Sequence, residues 1–350
     1  MAYTTINKSG DYFNTKLRSG VSSGTQANTG VGFQPDLIWD KNRASGIHAW
    51  WDVVRGNTKQ LQSNSTGAET TVSQLASFDS DGFTINGSAD HGSGTNIVDW
   101  CWKAGGAGSA NTDGTVNTTV SANTTAGFSI ITYTGDGNNN ATFGHGLGAI
   151  PKVVLVKTRD NSRNWYMRHE SLSSGYNIML NLTETPVNAS SYNAGMIKDL
   201  DNANTFSIAK SGSTNPTNNN GTGEDYVAYC FVEKTGYSKF GSYKGNGDAT
   251  RPPFIYTGFK PKFVIVKNIS QTDSWFMHDD KRDGYNDDNE YLFPNSNSAE
   301  GSNVNRIRLL SNGFSVPTTD KSHNVSGNSY IYMAFGQSLV GSNNVPATAR

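Results

Sequence analysis

Gly258-Phe259-Lys260-Pro261-Lys262-Phe263-Val264-Ile265-Val266-Lys267 is the stretch that decides the fold, because the chain carries it in three versions. It stands earlier as Gly148-Ala149-Ile150-Pro151-Lys152-Val153-Val154-Leu155-Val156-Lys157. The first version is Gly32-Phe33-Gln34-Pro35-Asp36-Leu37-Ile38-Trp39-Asp40-Lys41, and proline to lysine is six residues each time. Proline fixes φ and lacks an amide donor, so it belongs at the first residue of a strand. The Val, Ile and Phe behind it favour strand over helix. Their nearly unbroken run suits a central strand covered on both faces. Asp40 stands where the later copies have Val156 and Val266, which predicts a more exposed face for that strand in copy one.

Other landmarks keep step. Tyr133-Thr134-Gly135 and Tyr243-Lys244-Gly245 place their glycines sixteen residues before the proline. Trp165 and Trp275 follow the lysine by eight residues, whereas Trp50 and Trp51 follow Lys41 by nine and ten. Asn64-Ser65-Thr66-Gly67-Ala68-Glu69 matches Asn295-Ser296-Asn297-Ser298-Ala299-Glu300, and thirteen residues after each glutamate comes Gly82-Phe83 or Gly313-Phe314. Copy two has the weaker Thr205-Phe206-Ser207-Ile208. Each copy closes on an aromatic-rich strand, within Ile97 to Trp102, Tyr226 to Phe231 and Tyr330 to Phe335. In the last, Tyr330, Tyr332 and Ala334 alternate with Ile331, Met333 and Phe335, which assigns them to opposite faces. Asp79-Ser80-Asp81-Gly82 and Ser311-Asn312-Gly313 tolerate positive φ and predict hairpin turns.

The expected architecture is all-β with little helix: three tandem antiparallel β-sandwich modules, jelly-roll or lectin-like. Residues 1–9 read as an N-terminal arm, 10–104 as module one, 127–236 as module two, 237–340 as module three and 341–350 as a C-terminal tail. The Gly/Ser/Thr/Asn-rich 105–126 reads as a linker, with an ordered edge segment as the alternative. Modules two and three meet near Gly236 without a spacer, which favours a close-packed pair.

Composition narrows the function. Hydrophobic residues make up 35% and charged residues 16%, with 38 glycines, a mixture that starves helices and suits short strands and tight turns. Net charge is −1 and the cations form no run, so a nucleic-acid partner is not expected. No apolar stretch reaches the length of a membrane span, and no secretory signal opens the chain.

Candidate chemistry is sparse. On a strand Trp50 and Trp51 would face opposite ways, so at least one is expected at the surface or an interface, along with Tyr12 and Phe13. The other tryptophans read as core plugs rather than sugar platforms. Asp283, Asp287 and Asp288 lie in the densest acidic loop, whose spacing fits no standard calcium site and which contains Lys281 and Arg282. Asp79 and Asp81 also read as turn residues, since their counterpart at Ser311-Asn312 lacks carboxylates. Glu69 and Glu300 read as loop-pinning residues. The histidines are scattered, and HExxH, GxSxG, P-loop and CxxC patterns do not occur. The reading is therefore a non-enzyme without cofactor or metal. Cys101 and Cys230 share a repeat position with Ala334, as befits a small buried site rather than a disulfide.

The blocks GFQPDLIWDKNR, WCWKAGG, GFSIITYTGDG, GHGLGAIPKVVLVK, YVAYCF, SKFGSYKGNG, GFKPKFVIVK and SYIYMAF together resemble a repeated domain of unknown function found in virion proteins of tailed bacteriophages. The resemblance implies a virion structural protein assembled in the host cytoplasm. A tail fibre or tail-associated component binding a host-surface glycan or other virion proteins is expected first. A capsid decoration, head fibre or neck adaptor comes second, and a polysaccharide depolymerase last, because so long a repeat does not suit a β-helix. Virion parts form symmetric assemblies, so a homo-oligomer, trimer or hexamer, is expected. Function should lie where the copies differ: Trp50-Trp51, the loops 183–204 and 211–223, and the acidic loop.

Overall fold

The repeated stretches form strands for the reasons their composition gives. In the computed structural model Leu37–Asn42 and Val153–Thr158 are strands buried at every residue, and Phe259–Asn268 is buried from Phe263 onward. The structure describes residues 4–88, 91–188, 195–198, 200–209, 217–282, 286, 289–302 and 305–338. Beside each of these strands runs the closing strand of the same copy, in one register. Leu37 faces Trp102, Val153 faces Phe231 and Phe263 faces Phe335.

Around this pair each copy builds a larger antiparallel sheet. In copy one its order is Phe13–Ser19, Asn96–Trp102, Leu37–Asn42, His48–Asp52, Lys59–Gln62, Thr70–Thr71. In copy three it is Ser238–Lys244, Ser329–Ser338, Phe259–Asn268, Trp275–Asp279. Copy two has the corresponding strands Phe128–Thr134, Asp225–Phe231, Val153–Thr158, Tyr166–His169, Tyr176–Met179 and Val187–Asn188. It also has two additional strands, Ser109–Asn111 and Thr118–Asn123, at the edge next to Phe128–Thr134.

A three-stranded sheet accompanies each larger one. The three are Thr25–Thr29 with Gly82–Asn86 and Leu75–Asp79, Ala141–Gly144 with Thr205–Ala209 and Met196–Ile197, and Phe254–Tyr256 with Gly313–Ser315 and Arg308–Leu310. The expected hairpins close Asp79 onto Gly82 and Leu310 onto Gly313. Gly82 has φ 146° and crowds the Asn28 carbonyl so closely that a Cβ would lie 1.9 Å from it. Helix among the described residues is limited to the 3-10 turn Ser9–Asp11 and the short Thr217–Asn220.

The alternation in the closing strands sorts the core. Tyr330, Tyr332 and Ala334 belong to the apolar cluster of copy three with Ile255, Phe314 and Val316, and Tyr226, Ala228 and Cys230 to that of copy two. The opposite faces, with Trp100, Trp102, Val227, Tyr229, Phe231, Ile331, Met333 and Phe335, belong to one cluster built by all three copies. Phe335 packs on both Trp102 and Phe231 with ring centroids 5.8 Å apart. The larger sheets are thus covered on both sides, which is why their central strands read as continuous apolar runs. The shared core keeps an apolar void of only about 20 Å³, too small for a ligand larger than a water.

Several expectations are corrected. Of the two readings of residues 105–126, the linker is overturned and the ordered edge segment holds: they supply the two edge strands of copy two, and Val116, Val120 and Ala126 are buried. The N-terminal arm packs on the rest of the chain from Thr4 onward: Ile6 enters the shared core and Ser9 N–H bonds the Gln337 side chain at 2.8 Å. Asp40 is buried, not exposed. It pairs with Arg18 and His91, and Arg18 also bonds Asp99 at 2.9 Å. Copy one thereby has an ionic group where the other copies have Val156 beside Ala228 and Val266 beside Tyr332.

Candidate functional site

None of the described residues singled out in the sequence forms an exposed binding surface. Trp50 is 3% and Trp51 0% exposed. The two do face opposite ways, but both sheet faces are covered. Trp50 packs on Trp39, Trp165 and Tyr229 in the shared core, and Trp51 lies in the copy-one cluster. Phe13 is fully buried against Trp102, Phe263 and Phe335, and Tyr12 is half-buried against Tyr237. Asp283, Asp287 and Asp288 lie outside the described residues. Asp81 accepts the backbone N–H groups of Gly30 and Gly32 at 3.0 and 2.7 Å, a turn-pinning role.

The non-core chemistry gathers instead at the junctions between copies. Trp165 donates its indole N–H to the Gln62 carbonyl at 2.8 Å, linking copy two to copy one. Trp275 donates to the Met179 carbonyl at 3.0 Å, linking copy three to copy two. The third member is His48, not Trp50 or Trp51. The backbone N–H groups of His48, Trp165 and Trp275 bond the side chains of Asn64, Asn181 and Asn295 respectively, at 2.8 to 2.9 Å. The Trp39 indole donates to His48 Nδ1, and nearby the Ser63 hydroxyl donates to the Pro294 carbonyl of copy three at 2.8 Å. Three backbone bonds repeat the cycle: Arg163 N–H to Thr66, Asp273 N–H to Thr183, and Gly46 N–H to Asn297. Copy three therefore closes back on copy one, and the contacts form a ring.

The Asn-Ser-x-x-Ala-Glu elements supply the ionic part. Glu69 accepts two bonds from Arg159 of copy two at 2.9 Å and one from buried Arg55 at 3.1 Å. Arg55 bonds Asp52, which also accepts the Tyr229 hydroxyl of copy two. At the ring-closing junction Glu300 pairs with Arg43 of copy one and with Arg282, which bonds Asp279. Asp279 accepts the Trp100 indole of copy one at 3.0 Å. Glu290 joins Arg43 there, and burial together with the neighbouring Glu300 carboxylate raises it to about 7.

The junction from copy two to copy three is different. Aligned with Arg55, Glu69 and Arg159 are Leu172, Pro186 and Ile269. These three line a groove of about 340 Å³ together with Tyr176 and several hydroxyl side chains. His169 replaces Asp52 and Asp279 and bonds the Tyr332 carbonyl at 3.1 Å.

With this geometry in view, the family is decided by one match: a model described as a domain of unknown function, DUF7483, spans residues 8–338. The chain belongs to the DUF7483 family. The family domain covers all three copies as one unit, in keeping with their shared core. No curated protein and no solved structure matches this DUF7483 chain.

The outer face of the small sheet in copy three holds residues that the sequence reading missed. Phe254 and Tyr256 are 50% and 59% exposed, the largest exposures among the described large apolar residues, with Ile150 and Leu17 following. They flank buried Ile255 on an edge strand, and Phe254 leans over Gly313. The corresponding positions are Ala27 and Thr29 in copy one and Thr142 and Gly144 in copy two. Period-two alternation in Phe254-Ile255-Tyr256 was the available signal. No group of three or more potential metal-ligating residues occurs among the described residues.

Proposed function

We propose that this chain is a non-enzymatic structural protein of a bacteriophage virion, a tail fibre or tail-associated component. It would consist of three β-sandwich copies that present surface to a host glycan or to neighbouring virion proteins. The closed ring of junctions carries the reading. The buried carboxylates and guanidinium groups of two junctions are committed to cross-links between copies, as in a load-resisting scaffold. The exposed Phe254–Tyr256 pair favours contact by the outer sheet of copy three. Such a pair offers roughly 200 Å² of ring surface, well short of the ~800 Å² per partner in a standard interface, so it would sit at the centre of a larger contact.

Two measurements test this. Purified chain should bind cells of a susceptible host and not of a receptor-deficient strain, and F254S/Y256S should weaken binding at least tenfold without lowering the melting temperature. A cryo-electron map should show the chain in the particle. A few copies at the tail would support the fibre assignment, many copies over the capsid would replace it with decoration, and absence from particles would refute a virion role.

A further inference from the structure

Two junctions of the ring are filled by long ion-paired side chains, and the third is open. Arg55, Glu69 and Arg159 occupy the first, and Arg282, Glu300 and Arg43 the ring-closing one. At the same place between copies two and three, Leu172, Pro186 and Ile269 are shorter and leave the groove. The backbone around it is held as at the other junctions, by Asp273 N–H on the Thr183 carbonyl and by the Trp275 indole on Met179. The groove is therefore set by side-chain size, not by a loosened joint.

We propose that this groove is a binding site for a neutral, hydroxyl-rich ligand, a short saccharide. The lining contains no charged side chain, which disfavours phosphate, acidic sugars and peptide termini. It combines the ring of Tyr176 with the hydroxyl groups of Ser173, Thr185 and Ser270. A pyranose has the same two characters: polarised C–H bonds that suit the negative face of an aromatic ring, and hydroxyls that pair with serine and threonine. The volume lies at the lower end of the ~300–1,000 Å³ of small-ligand sites, which limits the occupant to about one or two sugar rings. Junctions between structural units are a common place for such sites. The inference rests on the glycan-binding half of the proposed function and gives it a location.

The test uses the full chain and a panel of neutral di- and trisaccharides of glucose, galactose and mannose, read by saturation-transfer NMR and calorimetry. L172R/P186E/I269R grafts the filled junction onto the open one, and S270W blocks the groove from an exposed position without touching the core. Binding by the native chain that falls at least tenfold in S270W, and in the graft where it folds, supports the site. Binding unchanged in S270W overturns it while leaving the glycan reading of the proposed function intact. No binding of any panel sugar overturns the site as well, and host-cell binding then decides the proposed function separately.

Discussion

Lys41, Lys157 and Lys267 end the three repeated stretches, and all three are fully buried. Their ammonium groups face carbonyl oxygens: Gly46 for Lys41, Thr158 and Asn161 for Lys157, Asn268 and Thr183 for Lys267. Burial pushes Lys157 down to about 7 and Lys41 and Lys267 to about 8 from the ordinary 10.5. Between these values and 10.5 the unfolded chain binds more protons than the folded one, so stability rises with pH across that window. Below it both states are protonated and the full cost of burying the cation remains. Unfolding free energies from urea titrations at pH 7 and pH 9.5 should therefore differ in favour of the higher pH, with each lysine contributing on the order of 2 kcal/mol. K157M should reduce that difference. An unchanged slope in the variant would mean that the carbonyl cage holds the lysine at its ordinary value. The sequence marked each lysine as a repeat landmark, but its burial was not legible, because a lysine at a strand end more often extends to water.

The elements that matter most are the Asn-Ser-x-x-Ala-Glu turns, whose pinning role was expected from sequence and whose partners were not. Glu69 is a point where three chain segments meet, since it binds Arg55 from its own copy and Arg159 from the next. E69A should cost about 2–4 kcal/mol, because Arg55 is left buried with one carboxylate partner fewer. P186A, at the equivalent place of the open junction, should cost less than about 1 kcal/mol. Comparable losses from both, measured by equilibrium unfolding, would show that the ionic junction has no special weight. Spacing could propose Glu69 and Glu300 as equivalents. It could not show that their cations come from the neighbouring copy, because such pairs are set by how sheets pack. Register misled in one place: the ninth- and tenth-residue tryptophans suggested a shifted counterpart of Trp165, whereas the asparagine bonds assign that place to His48.

At the scale of the molecule, one apolar cluster spans all three copies. A chain whose copies were separate domains would melt in steps, whereas shared burial couples them. Calorimetry should show a single transition, and W50A should lower the whole of it, at about 3–5 kcal/mol for loss of a core tryptophan. Two resolved transitions, or a shift confined to a copy-one transition, would contradict the coupling.

The sequence alone determined that the chain is all-β, that one strand pattern recurs three times, which residues begin and end its central strands, and which faces of the closing strands differ. These are local properties: proline geometry, β-branched content, turn residues and period-two alternation act over a few neighbours. The tertiary structure decided that the second faces of the larger sheets meet in one core, that Trp50 and Phe13 are consumed there and Trp51 in the copy-one core behind it, and that Asp40 is buried with Arg18. It also decided that the copies close into a ring with one junction left open. Alternation says which side chains share a face. What covers that face depends on contacts between residues far apart in the chain, and those are fixed only when the sheets pack.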